Sequence, residues 1–192
     1  MSLLSLKVPR DVARLLGQLE VPGEKSAVDA AHITLVYLGK GTPIAEVARA
    51  IEPIFEVTSQ TRPFTVRTSL VTSFPGGDDG IPVIARIESP ELHAFQGRLV
   101  AALKAAGIEY NDKWPEYKPH VTLAYIQDER PAPEDYDFPA IEWGVAEMAF
   151  WGGDDGDDGL AVTFPFSLAK AREARYKAYV RIARVDPRPF QL

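Results

Sequence analysis

The stretch His32-Ile33-Thr34-Leu35-Val36-Tyr37 returns later in the chain as His120-Val121-Thr122-Leu123-Ala124-Tyr125. The copies match at four of six positions, both mismatches are apolar, and together they use two of the chain's three histidines. Both are rich in β-branched and aromatic residues, so each reads as a strand. Side chains alternate between the faces of a strand. His32 and Thr34 then share one face, as do His120 and Thr122. Ile33, Leu35 and Tyr37 point the other way, with Val121, Leu123 and Tyr125, and both tyrosines are expected in the core.

The pattern around the repeats sets the expected fold. Leu3 to Val8 alternates as a first strand, and Pro9 opens a helix marked by Val12, Leu15, Leu16 and Leu19. Polar sequence from Val21 to Asp29 forms a loop into the first motif strand. A helix after Thr42-Pro43 carries Ile44, Val47, Ile51 and Ile54-Phe55 on one face. Strands from Phe64 to Phe74 and Ile81 to Ile87 flank the hairpin signal PGGDDG, Pro75 to Gly80. Ser89-Pro90 starts a helix whose inner face is Leu92, Phe95, Leu99, Leu103 and Ala106, ending at Gly107. The loop from Asn111 to Pro119 leads into the second motif, and a Pro-rich loop follows from Gln127 to Pro139. Two further strands, Ile141 to Trp151 and Leu160 to Phe166, flank GGDDGDDG, Gly152 to Gly159.

GGDDG therefore also occurs twice, and each half reads motif strand, further strand, Gly-Asp hairpin, strand. The offsets are 88 residues for the motifs and 76 for the hairpins, so the repeat is imperfect. The expectation is an α+β fold. Two pseudo-symmetric lobes with antiparallel sheets line a central cleft, and helices lie outside. Residues 1–167 form this bilobal domain and residues 168–192 a basic C-terminal helix and tail.

Composition narrows the function. A chain of 192 residues is long enough for one sizeable core. A net charge of −6 argues against a protein that coats nucleic acid. The absence of cysteine removes thiol chemistry, disulfides and every cysteine-based zinc site, and three histidines are too few for a His-rich metal site. No apolar run reaches membrane-spanning length and the N-terminus lacks a signal-peptide pattern, so a cytoplasmic location is expected. The Asp-rich hairpins do not fit a calcium loop, because the third position counted from Asp154 is Gly156. From Leu168 onward seven Lys/Arg stand against two acids, a local +5 that leaves −11 on the rest. Tyr176, Tyr179, Val180 and Ala183 give this segment an apolar stripe. It either docks on the acidic body or meets nucleic acid or another protein.

Two imidazoles and two hydroxyls on facing strands suit phosphodiester chemistry. One imidazole takes a proton from the attacking oxygen while the other, as imidazolium, protonates the leaving oxygen. Thr34 and Thr122 donate to the non-bridging oxygens. This needs no metal and no cofactor. Near-symmetry of the motifs leaves open which histidine is base and which acid. Lys118 shares strand parity with His120 and is a candidate phosphate contact. Trp114 and Tyr117, in the preceding loop, are candidates to stack a base or cover the cleft. His93 lies in a helix without a Thr partner and reads as a packing or surface residue.

At HITL and PHVTL, with Pro119 before the second histidine, the chain resembles the 2H phosphoesterase superfamily. That group includes bacterial 2′-5′ RNA ligase-like proteins and cyclic nucleotide phosphodiesterases. The likeness spans approximately residues 3 to 167. It implies His32 and His120 as the catalytic pair and Thr34 and Thr122 as phosphate ligands. The implied activity is hydrolysis of a cyclic phosphate or a 2′-5′/3′-5′ phosphodiester in a nucleotide or RNA end. RNA-ligase-like members tend to carry a basic residue soon after the second motif, where Ala124-Tyr125 stand here. That departure leaves room for a phage-type hydrolase of cyclic oligonucleotide immune signals. A third reading, an RNA- or nucleotide-binding module without turnover, is disfavoured by two intact His-Thr pairs.

Overall fold

The computed structural model describes residues 2–39, 44–77, 79–111, 113, 116–127, 136–138, 140–152 and 160–185. In chain order these form β1 (Ser2–Lys7), α1 (Arg10–Gly17), β2 (Glu24–Lys25), a 3-10 turn (Val28–Ala30), β3 (His32–Gly39), α2 (Ile44–Ser59), β4 (Phe64–Ser73) and β5 (Ile81–Glu88). They continue with α3 (Pro90–Ala105), β6 (His120–Ile126), β7 (Tyr136–Asp137), β8 (Glu142–Val145), β9 (Glu147–Gly152), β10 (Leu160–Pro165) and α4 (Leu168–Val185). The fold is α+β, as expected. Trp114 and most of the second Gly-Asp turn, residues 153–159, lie outside the described residues.

All ten strands join one antiparallel sheet in the order β10-β9-β1-β3-β6-β5-β4-β7, with β2 on β6 and β8 on β4. The two motif strands are neighbours at its middle. Between them a single pair, Ile33 opposite Val121, bridges the two halves of the sheet.

The lobes are not the halves of the sequence. The β4–β5 hairpin follows the first motif but pairs with the second, β5 lying on β6. The β9–β10 hairpin follows the second motif and joins the first through β1. Each Gly-Asp hairpin thus serves the other lobe's histidine. The single strand expected from Ile141 to Trp151 breaks at Ala146 to make this crossing: β8 pairs with β4, whereas β9 pairs with β1 and β10.

One face of the sheet is covered by helices, and the core lies between. Leu92, Phe95, Leu99 and Leu103 of α3 are fully buried, as their spacing requires. Phe95 packs on Phe166 with centroids 4.9 Å apart, and Phe64 stacks on Phe166 at 5.7 Å. The Ser89 side chain caps α3, accepting from the Leu92 backbone N–H at 3.2 Å and donating to the Thr65 carbonyl at 2.9 Å. That ties α3 to β4.

The C-terminal helix docks on the body against α2 and β10. Its inner stripe differs from the expected one: Ala171, Ala174 and Ala178 are buried, whereas Tyr176 is 71% exposed. Small residues permit close helix approach; of the expected stripe Tyr179 is part-buried against the core, and Tyr176 stays outside. Arg175 meets Glu52 at 3.2 Å and lies over the Phe55 ring at 4.5 Å, and the Tyr179 hydroxyl reaches Glu52 at 2.6 Å. Among the described residues no helix is long and apolar enough to cross a membrane.

Candidate active site

The register of β3 on β6 places the four motif side chains. With Ile33 opposite Val121, antiparallel pairing sets His32 across from Thr122 and Thr34 across from His120. The bridging pair points into the core, Ile33 at 0% and Val121 at 1% exposure. The histidines and threonines, all half-buried, occupy the other face. His32 and His120 sit on one diagonal of this square and the hydroxyls on the other. Diagonal neighbours on paired strands lie about 7–8 Å apart at the backbone, which leaves room for one phosphate between the rings.

Both rings are oriented in the same way. His32 Nδ1 lies 2.7 Å from the carbonyl oxygen of Ala30, and His120 Nδ1 lies 2.7 Å from that of Lys118. A carbonyl only accepts, so each Nδ1 carries the hydrogen and each Nε2 is the free nitrogen. The same i−2 tether in both motifs is a consequence of their shared strand entry.

The environments differ, however. Burial lowers the His120 pKa below its ordinary value, the Lys118 hydrogen bond opposes this, and the charge on His32 adds to the lowering. Phe74 packs edge-on to the His120 ring, with centroids 4.8 Å apart. No local pattern signals this contact, because Phe74 directly follows β4, two strands away.

Beyond the threonines both motif strands depart from simple alternation. The β1–β3 register passes from Ser5–Thr34 to Leu4–Val36, and the β5–β6 register from Ile84–Thr122 to Val83–Ala124. Each strand therefore bulges at the same motif position, Leu35 and Leu123. Leu35 with Val36, and Leu123 with Ala124, all join the core. The extra residue reverses the phase, so Tyr37 and Tyr125 are half-buried and return to the histidine face. They are not core residues.

Tyr117 is a tether. Its hydroxyl donates to the Thr34 carbonyl at 3.1 Å, and its ring meets His93 edge-on at 5.4 Å. Burial pushes its phenol pKa up, which keeps it a donor. It is partly buried against the core and also lines a cavity that Arg86 and Lys118 border. Its link from the loop before β6 to β3 holds the motif strands together. Lys118 lies at the site's edge, its carbonyl holding His120 and its ammonium 3.2 Å from Glu116. His93 is exposed on α3 and supports Tyr117, as a packing residue would.

The sheet neighbours of the histidines carry charges that the motifs do not. Lys7 on β1 pairs with His32, and Arg86 on β5 pairs with His120. Directly opposed residues project to the same face. Neither was legible as a site residue without the register.

A family model described as the 2′-5′ RNA ligase superfamily matches residues 8–157. Among solved structures, the chain is similar to TT0787 of Thermus thermophilus, with TM-score 0.65 and 22% identity over 87% of this chain and 96% of that one. A structure titled as a phosphoesterase aligns with TM-score 0.56 and 15% identity, covering 86% and 97%. E. coli LigT complexed with 3′-AMP aligns with TM-score 0.52 and 16% identity, again covering 86% and 97%. These likenesses establish the fold. No curated protein matches in sequence.

Proposed function

Because the chain belongs to the 2′-5′ RNA ligase superfamily, we propose that it is a metal-independent phosphodiesterase acting on a cyclic phosphate or a 2′-5′/3′-5′ phosphodiester in a nucleotide or RNA end. The observation that carries this reading is the square of His32, Thr122, Thr34 and His120, with each Nδ1 tied back and each Nε2 free. The 3′-AMP held by the similar LigT supports a nucleotide substrate.

We assign the base role to His120, on its burial and its edge contact with Phe74, and the acid role to its partner. His120, whose neutral form is favoured, takes the proton of the attacking water at Nε2. The new P–O bond forms as the ester bond breaks on the far side of phosphorus. His32, as imidazolium, delivers a proton to the departing alkoxide. Thr34 and Thr122 donate to the non-bridging oxygens, where negative charge gathers. Replacing either threonine by alanine is expected to cost about 1–3 kcal/mol in kcat/KM, the worth of a donor aimed at developing charge. Steady-state kinetics on the best substrate would measure it.

The pKa direction at His120 fixes a second expectation. In the free protein His120 keeps its base form to lower pH than an ordinary imidazole of about 6.5. The acid limb of kcat/KM should therefore fall below that value. A bound phosphate anion favours imidazolium, so the acid limb of kcat, which reports the complex, should lie higher. The limbs belong to the coupled pair rather than to one residue. A pH–rate profile in which kcat has the lower acid limb would contradict the assignment.

The direct test is an assay in EDTA against 2′,3′-cyclic, 3′,5′-cyclic and cyclic oligonucleotide substrates. Turnover of at least one is expected to survive chelation, since the imidazoles perform both proton transfers. Activity lost in EDTA and restored by Mg²⁺ or Mn²⁺ would overturn the two-histidine mechanism. Binding of these ligands with no turnover of any would favour the non-catalytic module.

A further inference from the structure

On the proposed phosphodiesterase reading, we propose that Lys7 and Arg86 bind the phosphates flanking the scissile one, so that the site selects substrates with several phosphates. The pseudo-two-fold relation that exchanges the two motif strands carries the argument. It maps His32 onto His120 and Thr34 onto Thr122. It also maps the outer neighbour of the first histidine onto that of the second, and these neighbours are Lys7 and Arg86. Each lobe therefore sets a cation outside its histidine, on the same face of the sheet.

Their surroundings leave both cations available. Both are exposed. Among the described residues neither has a hydrogen-bond or ion-pair partner, although acids outnumber Lys/Arg in the chain by 27 to 21. Arg86 also lines a cavity of about 680 Å³, together with Lys118 and Pro119, the two residues that precede His120. Two other cations line that cavity, and both are engaged: Arg67 with Glu88 at 2.7 Å and Lys118 with Glu116 at 3.2 Å. Among the described cations that line the cavity, Arg86 is the one left for a ligand.

Spacing assigns them to flanking positions rather than to the central phosphate. Lys7 and Arg86 lie on β1 and β5, the strands outside β3 and β6, so three inter-strand steps separate them, roughly 14 Å. A phosphate held between the two imidazoles sits at the centre of that span. Each cation then lies beyond a histidine, where the next phosphate of a nucleotide chain falls. The ligand chemistry is a short oligonucleotide, linear or cyclic. The cavity beside Arg86 receives the nucleotide on the His120 side.

The test compares K7Q, R86Q and the double variant with the native protein. Two substrates are used: uridine 2′,3′-cyclic monophosphate, with one phosphate, and a 5′-phosphorylated 2′-5′-linked triadenylate, with three. The ratio of kcat/KM for the triadenylate to that for the monophosphate should drop about tenfold for each cation removed. The salt slope of log kcat/KM on the triadenylate should flatten by about 0.7 for each phosphate left without its cation. An unchanged ratio would overturn the proposal, because it places both cations on the scissile phosphate or in solvent.

Anisotropy titration with a fluorescein-labelled triadenylate reads the same interactions without turnover. If the native protein cleaves neither substrate but binds the labelled probe through Lys7 and Arg86, the flanking sites stand and the phosphodiesterase reading falls. If the probe binds equally well to the double variant, or the native protein does not bind it, the flanking sites fall whatever the activity. Thermal melts confirm that variants at these exposed positions remain folded.

Discussion

Replacing either His32 or His120 by alanine is expected to lower kcat by about 10²–10⁴-fold, the range for one general acid or base, with the fold unchanged. The fold should survive because each ring is half-buried and makes one hydrogen bond, to a local backbone carbonyl. The core packs on the opposite side of the same strands, through Ile33, Leu35, Val121 and Leu123. The double variant should be little worse than the more damaged single one. One proton transfer without the other leaves the reaction stalled, so the pair acts as a unit. Loss in kcat with little change in KM would place both rings in the transition state, and thermal melts would show that the protein is intact. Two independent losses that multiply in the double variant would mean separate sites, contrary to the diagonal placement on β3 and β6.

Much of this site was legible in the sequence, because it rests on local alternation. His-x-Thr on a strand puts imidazole and hydroxyl on one face, and that holds for both copies. Parity also bears on the loop before β6. Tyr117 has the parity of Pro119 and Val121, which are buried, and Lys118 that of His120. The role of Tyr117 as a core tether could have been read from that count. What local reading missed depends on partners far along the chain. The bulges at Leu35 and Leu123 appear only in the pairing with β1 and β5, and they carry Tyr37 and Tyr125 to the histidine face. The exchange of hairpins between lobes is likewise a matter of non-local pairing. No pattern within Ile141 to Trp151 marks the step at Ala146 where the chain changes lobe. β2 escaped notice because Glu24-Lys25 is short and charged, without the apolar alternation of a half-buried strand. Lys7 and Arg86 look like ordinary strand-end and strand-face cations until the register sets them beside the histidines.

Alanine in place of Gly80 is expected to destabilise the protein by about 3 kcal/mol or more, whereas alanine in place of Gly97 should stabilise it by about 0.5–1 kcal/mol. The same methyl group meets two different situations. Gly80 closes the first Gly-Asp turn at φ +94°, a conformation costly for any residue with a Cβ, and an added Cβ would lie 2.5 Å from the Ile126 carbonyl oxygen. The obstacle is backbone at the end of β6 and cannot rotate away. Gly23, at φ +100°, meets the neighbouring Tyr125 carbonyl at 2.5 Å, so two glycine turns close on the same end of the second motif strand. Gly97 lies exposed on α3 with nothing within 4 Å of the built Cβ, and alanine there relieves the entropic cost of glycine in a helix. In a chain of this size each kcal/mol moves Tm by roughly 2–4 °C. The Gly80 variant should therefore melt some 6–12 °C lower, and the Gly97 variant slightly higher. Melts that moved together would show that the Gly-Asp turn yields without disturbing β6. Opposite shifts, with activity lost at Gly80 at temperatures where that variant is still folded, would show that the turn sets the strand on which His120 is carried.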